Sequence, residues 1–302
     1  MPGSAMKIGT APISWGVCEL PDWGVTLPYQ GVLDEMAELG YTGTELGPWG
    51  YLPKDTGVLT AELRKRQLDL AGAFCPVTLH DPGSYEEALA YAMDTCRLLA
   101  DLGARVLVLA EAGDVLREQI AGRVRANSPQ FRDEDWKRFV EGVNEIARRA
   151  KDMRLVTAFH PHAGTYVETP GEIDQLLRRT DPSLVGLCLD TGHIFYGGGD
   201  PVALARRDPK RVRHVHLKDV SRGRYERALA REMDFTAAVA EDVFVPVGDG
   251  DVDVKGLIGT LRAAGFDGWL IVEQDIRIAP GSSRRPKVDA AKSYAFITAE
   301  LR

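Results

Sequence analysis

Short apolar runs alternate with longer amphipathic ones along the whole chain. Runs of strand length fall at residues 8–14, 43–46, 68–76, 105–110, 155–160, 185–190, 212–217 and 269–273, eight in all. Between them apolar residues recur at helical spacing over 28–39, 60–66, 84–102, 133–151, 171–178, 201–206, 254–264 and 287–301. The punctuation agrees with this division. Gly40 and Gly265 stand just past helical stretches, where a left-handed cap needs glycine. Thr169-Pro170-Gly171-Glu172 supplies a threonine cap, a proline at the first helical position and a glutamate three residues on. Strands that alternate with helices make βαβ units, which demand a parallel sheet. Eight units predict an α/β protein with a single (β/α)8 TIM barrel. A doubly wound open sheet is the competing arrangement, but residues 10–16 lack the G-x-G-x-x-G turn that a dinucleotide-binding version needs.

Two connections are too long for this beat: 111–132 after the fourth strand and 219–253 after the seventh. Both leave the C-terminal end of a strand, the face on which such barrels build their sites. The second holds a predicted helix at 226–240 and ends in Pro246-Val247-Gly248-Asp249-Gly250. A lid, a contact between copies in a homo-oligomer and plain decoration all fit it.

Length alone leaves the domain count open. The chain has 302 residues, about twice the 150-residue prior for one domain, yet single barrels run to about 250 residues or more. No linker or low-complexity tract divides it, so one domain over 6–302 is expected, with 1–5 read as a leader. There are 44 acidic residues against 37 basic ones, a net charge of −7. That balance argues against nucleic acid as a partner, because such binding draws on clustered Lys and Arg. No apolar run reaches the roughly 18 residues of a bilayer span, and no signal-peptide core opens the chain. A membrane partner is therefore not expected. Cys18, Cys75, Cys96 and Cys188 are widely spaced without a CxxC pair, which reads as reduced thiols in a cytoplasmic protein.

The chemistry gathers where the last four strands end. They close in Ala158-Phe159-His160, Cys188-Leu189-Asp190, Val215-His216 and Ile271-Val272-Glu273. In a parallel barrel these ends meet around one side of the mouth. Two imidazoles and two carboxylates, His160, Asp190, His216 and Glu273, make a mixed N/O site for one divalent ion. Mn2+ or Co2+ are the first choices, with Mg2+, Fe2+ and Zn2+ also compatible. Strand parity adds that His214 and Lys218 point the same way as His216, and that Ala158, Cys188 and Ile271 lie one layer below. Plainer readings exist: a strand histidine is often a core residue, and Asp190 before Thr191-Gly192-His193 is also a helix cap.

The runs Phe159-His160-Pro161-His162-Ala163-Gly164-Thr165, Leu189-Asp190-Thr191-Gly192-His193, His214-Val215-His216-Leu217-Lys218-Asp219 and Gly268-Trp269-Leu270-Ile271-Val272-Glu273 resemble the sugar phosphate isomerase/epimerase superfamily of xylose-isomerase-like barrels. Within it the chain is most similar to the inosose (2-keto-myo-inositol) dehydratase family. Ala11-Pro12-Ile13-Ser14-Trp15 and Gly43-Thr44-Glu45-Leu46-Gly47 extend the likeness to nearly the whole chain. The resemblance implies a divalent ion at Asp190, His216 and Glu273, and a lyase that removes water from a keto-polyol or keto-sugar. Many relatives carry a glutamate where this chain has His160, and epimerases use that glutamate with the one ending strand eight. An epimerase or isomerase is therefore the runner-up, alongside a lyase for 3-keto-glycosides. Glu168 is a backup fourth ligand, or a solvent-facing residue before the Thr169 cap. A related abasic-site endonuclease would share Asp190 and His193, but 245–253 has no histidine; a non-catalytic polyol-binding barrel also stays open.

Dehydration needs an electrophile for the ketone, a base for the neighbouring C–H and an acid for the departing hydroxyl. Glu45, across the mouth, is the candidate base or a ligand for substrate hydroxyls. Lys218 is a candidate enolate anchor or acid, and His193 a candidate acid or a capping residue. His162 is expected to bind substrate or orient His160. Trp15, Trp49, Tyr51 and His80 follow early strands and are candidate pocket walls, each with packing as the plainer alternative; Glu111 joins them by position. Two segments depart from the family: Gly16-Val17-Cys18-Glu19-Leu20 replaces an expected Asn/Asp-rich turn, and the tail through Arg277, Arg284 and Arg285 is longer. Both are expected to line or cover the mouth.

Overall fold

The computed structural model describes residues 6–302, so the leader expected at 1–5 lies outside the described residues. Ten strands follow one another: β1 Lys7–Thr10, β2 Gly43–Glu45, β3 Asp69–Val77, β4 Val106–Glu111, β5 Val156–Phe159, β6 Val185–Asp190, β7 Val212–Leu217, β8 Asp219–Val220, β9 Phe244–Val245 and β10 Trp269–Val272. Strands β1 to β7 pair in chain order, and β10 closes the ring between β7 and β1. Every barrel pairing is parallel. The fold is a single (β/α)8 barrel. β8 and β9 form a separate antiparallel pair inside the second long connection.

Alternation along each strand sorts its side chains. Leu189, Val215, Leu217 and Val272 belong to the layer packed beneath the helices. The residues between them point into the barrel. There Val106, Val108, Ala158 and Cys188 pack with Phe74, while Ala11, Ala71 and Ile271 pack with Ile13 and Trp269. This apolar filling carries the polar strand ends above it.

Several boundaries differ from the pattern by a residue or two, and three differ more, each for a local reason. The first strand stops at Thr10, and Pro12–Trp15 form a 3-10 turn closed by Gly16 at φ 75°. Pro12 has no N–H to continue the ladder. The helix expected over 226–240 is two, Arg222–Ala230 and Phe235–Ala240. Glu232 takes φ 52°, and Asp234 Oδ1 accepts from Ala237 N at 2.6 Å, which starts a new helix. The helix expected from 60 begins at Thr56, because Asp55 caps it through Val58 N.

The first long connection is clamped from within. It contains the short helix Val115–Gln119, whose Arg117 is fully buried. Arg117 donates to both oxygens of Glu172 at 2.8 and 3.0 Å and to Pro129 O at 2.9 Å. Breaking such a buried pair leaves an uncompensated charge at a cost of about 3–5 kcal/mol. The connection is therefore held onto the helix Pro170–Arg179. No described helix is long and apolar enough to cross a membrane.

Candidate active site

Asp190 and His216 within β6 and β7 converge with His160 and Glu273, each one residue past the end of β5 and β10, as a buried cluster. His160, Asp190, His216 and Glu273 each offer a donor atom, and these atoms lie within 4.8 Å of one another. Asp190 divides its two oxygens between two tasks. Oδ1 accepts from His193 N at 2.8 Å and caps the helix Thr191–Tyr196. Oδ2 faces the cluster, 3.4 Å from His160 Nε2 and 3.7 Å from His216 Nδ1. The capping and clustering readings of this residue both hold, on separate atoms.

His216 supplies the test of whether a cation fits. Its Nε2 donates to Glu45 Oε1 at 3.2 Å, and its Nδ1 lies 3.1 Å from Glu273 Oε2 without a hydrogen-bond partner. A buried lone pair aimed at carboxylate oxygens needs a positive charge between them. Burial works against an imidazolium here, yet Cys188, Glu273 and Glu45 raise the pKa of His216 well above its ordinary value. The surroundings demand a cation, and the N/O donor set fits a divalent metal.

Glu45 lines the same cavity and reaches across the barrel to the histidines of strand seven. Its side chain is almost fully buried, and Oε1 accepts from His214 Nε2 at 2.7 Å as well as from His216. Burial alone would raise its pKa, but His216 and His214 outweigh burial and hold it well below the usual carboxylate range. A carboxylate engaged by two imidazoles and made this acidic is poorly suited to take a proton from carbon.

Lys218 lies over Gly192, where any Cβ would come within 2.6 Å of the lysine Cγ. Thr191 Oγ1 accepts from Lys218 N at 2.8 Å and so fixes where strand seven's extension runs. The ammonium is buried among Asp275 Oδ1 at 2.8 Å, His193 Nε2 at 2.9 Å, Glu273 Oε2 at 3.2 Å and Asp190 Oδ2 at 3.6 Å. Burial opposes its charge, but Asp190, Asp275 and Glu273 prevail and raise its pKa. His193 moves the other way: burial, then His162 and Lys218, hold its pKa well below the ordinary value. It is uncharged at neutral pH and has no proton to spare as an acid.

The remaining expected residues fall into two groups. His162 and Glu111 line a cavity of about 460 Å³ above the cluster. His162 Nδ1 donates to Ala163 O at 2.7 Å, so Nε2 is its accepting nitrogen; burial lowers its pKa to about 3. Glu111 ends β4, and its Oε2 accepts from Gly113 N and Tyr166 N at 2.9 and 3.1 Å. Its Oε1 has no partner, and burial pushes the carboxyl up to about 7.

Trp15, Trp49, Tyr51 and His80 do not line the cavity. The 3-10 turn drives Trp15 into the core, where Nε1 donates to Glu35 at 2.7 Å. Trp49 packs edge-on against Tyr91, and Tyr51 donates to Leu27 O at 2.9 Å. His80 sits behind Glu111, with Nδ1 3.5 Å from Oε1 and its ring against Phe131 and Tyr166. Glu168 is neither solvent-facing nor in the metal-competent cluster. It is buried and accepts from Gly122 N and Gly164 N at 2.6 and 2.8 Å, tying two loops together.

Sequence reasoning missed Asp275, which lines the cavity beside Lys218. It lies two residues beyond Glu273, and the parity argument that reached Lys218 from His216 would have reached it. Trp23, three residues past the departing turn that ends at Leu20, also lines the cavity, and no sequence signal marks it.

The xylose isomerase-like TIM barrel family model matches residues 33–298. An inosose dehydratase of Clostridium tetani is 34% identical over 270 residues, 89% of this chain and 90% of that one. An inosose dehydratase of Geobacillus kaustophilus is 36% identical over 270 residues, covering 89% and 87%. Among solved structures, the zinc-bound IOLI protein superposes with a TM-score of 0.71 at 16% identity, covering 98% of both chains. A 3-keto-D-glucoside 4-epimerase from E. coli gives 0.71 at 18%, covering 97% and 99%. At those identities the structural likeness is one of fold. The family model and the curated relatives, each spanning most of the chain, carry the assignment: this chain belongs to the xylose isomerase-like TIM barrel family.

Proposed function

We propose that this chain is a divalent-metal-dependent hydro-lyase that eliminates water from a keto-polyol, with 2-keto-myo-inositol the first substrate to test. Relatives named inosose dehydratase support the substrate class. One observation of the site carries the choice of elimination over epimerisation: the end of strand five contributes His160 to the cluster with Glu273, where a paired proton carrier would be a second glutamate. An epimerase takes a proton from one face of its substrate and returns one to the other, so it needs a proton carrier on each side. Here His160 Nε2 is directed at Asp190, inside the cluster.

His160, Asp190, His216 and Glu273 would hold the ion, Mn2+ or Co2+ by preference. When bound, it supplies a Lewis acid for the substrate ketone. Glu45 orients His216 by accepting its Nε2 proton, which keeps Nδ1 free. Lys218 keeps its proton and donates hydrogen bonds to the oxyanion that grows as the neighbouring C–H is broken. Glu111 takes that proton: it lines the cavity, has one oxygen unpartnered and titrates near neutrality. Its carboxyl then returns the proton to the departing hydroxyl, so water leaves and Glu111 is regenerated. His162 Nε2 accepts from a substrate hydroxyl. The four unpaired cysteines support a cytoplasmic setting.

The test is a panel of keto-inositols and ketohexoses in D2O, followed by dione or enone absorbance and by deuterium incorporation. Chelator dialysis is expected to abolish water loss, and Mn2+ or Co2+ to restore it. Full activity in chelator overturns metal dependence. Deuterium incorporation without water loss assigns the epimerase instead.

A further inference from the structure

The cavity changes character between its floor and its mouth. The floor carries His160, His162, His216 and Lys218 from strand ends or the turns after them, and His193 from the helix Thr191–Tyr196. Nearer the mouth aliphatic and aromatic side chains join the lining, alongside Glu19, Asp114, Glu118 and Thr236. Val17, Leu20 and Trp23 come from the turn after β1, and Val115, Phe235 and Val239 from the two long connections. Leu20 is 45% exposed and Val115 66% exposed, so both stand at the rim as uncovered apolar surface. Exposed apolar patches that border a polar pocket mark places where something apolar binds.

The apolar part of that lining has nothing to offer a hydroxyl. A ring bearing hydroxyls all round would lose water at each one, and Val17 or Val239 offers no hydrogen bond in return. The volume argues the same way. About 460 Å³ lies in the roughly 300–1,000 Å³ range in which pockets bury drug-sized ligands. That leaves room beyond one six-membered ring.

The aromatic part of the rim is held rigidly. Trp23 Nε1 donates to Ile276 O at 3.0 Å, and Arg277 Nε donates to Trp23 O at 2.7 Å while its guanidinium lies 5.9 Å from the indole ring. Val25 N donates to Ile278 O at 2.8 Å. Gly24 lies between these anchors, where a Cβ would come within 2.5 Å of Ile278 O. The turn after β1 and the segment after β10 are thus clasped together, and Trp23 is preorganised as a wall. Phe235 is steadied by the rings of His162, His193 and Tyr196, at 5.5, 5.6 and 5.3 Å.

We infer that the mouth is a subsite for an apolar substituent, aryl or alkyl, carried on the keto-sugar ring whose ketone reaches the floor. The inference rests on the keto-polyol reading for the ring and adds the class of group attached to it. The apolar wall is continuous with the polar floor, so one ligand spans both.

The probes are the phenyl and methyl glycosides of a 3-keto-hexopyranose, titrated calorimetrically against the metal-loaded enzyme. The phenyl glycoside is expected to bind at least about tenfold more tightly, the scale on which an apolar pocket rewards added hydrocarbon. Leu20→Glu and Val115→Glu, both at exposed positions, are expected to erase most of that preference. Equal affinities, or a preference that survives both substitutions, overturn the subsite. Sedimentation that finds these two variants dissociating a dimer, with no glycoside preference in the parent, assigns the rim to a second copy and overturns it too. Because the readout is binding, it is independent of turnover. Preference without water loss from any ketone sinks the lyase and keeps the subsite, whereas water loss from 2-keto-myo-inositol without preference does the reverse.

Discussion

Glu45 and Glu111 end barrel strands two apart, and both are almost fully buried. Burial raises the pKa of each. Their neighbours then separate them. Glu45 accepts from two imidazoles on the far side of the barrel and becomes a strong acid. Glu111 accepts from two backbone N–H groups with one oxygen, keeps the other free and stays near 7. Being a buried glutamate at a strand end therefore says nothing about role. What decides it is whether a cationic or a neutral donor occupies the carboxylate, and whether an oxygen is left over.

The sharpest way to break this contrast is Glu111→Gln. A general base contributes typically about 10²–10⁴ in rate, so kcat is expected to fall by that factor while bound metal, measured by elemental analysis, is unchanged. The sign of the pH dependence follows from the raised pKa. The base works ionised, so the parent rate falls as pH drops through about 7, and the variant lacks that limb. A variant within tenfold of the parent removes Glu111 from the mechanism.

Glu45→Gln comes next. Losing the partner of a metal-ligating histidine typically costs about 10–100-fold in metal affinity. The variant is expected to need more Mn2+ or Co2+ and to regain its kcat at saturation, read from activity against free metal. If kcat instead collapses with metal fully bound, Glu45 is the proton acceptor and the two glutamates exchange roles.

The same contrast explains what could be read from residue order. The eight strands were legible because period-two runs and helical runs alternate, and the four metal-competent ends because each closes an apolar strand. Asp190 was legible as either a cap or a ligand; only the folded structure reveals that one oxygen caps the helix while the other faces the cluster. The partner of Glu45 was not legible, since His214 lies 169 positions away and the pairing depends on how the closed barrel aims both side chains inward. Trp15 was misplaced as a pocket wall because strand length was overestimated: a strand ending at Ser14 would present it at the mouth, whereas the turn starting at Pro12 buries it. Asp275 escaped because it follows the strand instead of ending it.

The finest test of the contrast is His80→Phe. The imidazole sits behind Glu111 with Nδ1 3.5 Å from the unpartnered oxygen, and its ring packs on Phe131 and Tyr166. Phenylalanine keeps that packing and removes only the nitrogens. Burial lowers the pKa of His80, so at neutral pH its influence on Glu111 is that of a dipole rather than a full charge. When the neutral ring carries its proton on Nδ1, that dipole faces Oε1 and favours the ionised carboxylate without forming a hydrogen bond. Without it Glu111 holds its proton more tightly, and the acidic limb of the pH–rate profile should move upward. A shift of one unit corresponds to about 1.4 kcal/mol, and a neutral partner at this distance is expected to give less than that. The shift is read from kcat/KM profiles of the parent and His80→Phe across the limb. A limb that moves downward means His80 opposes ionisation, and one that stays in place means the two residues are neighbours without being coupled.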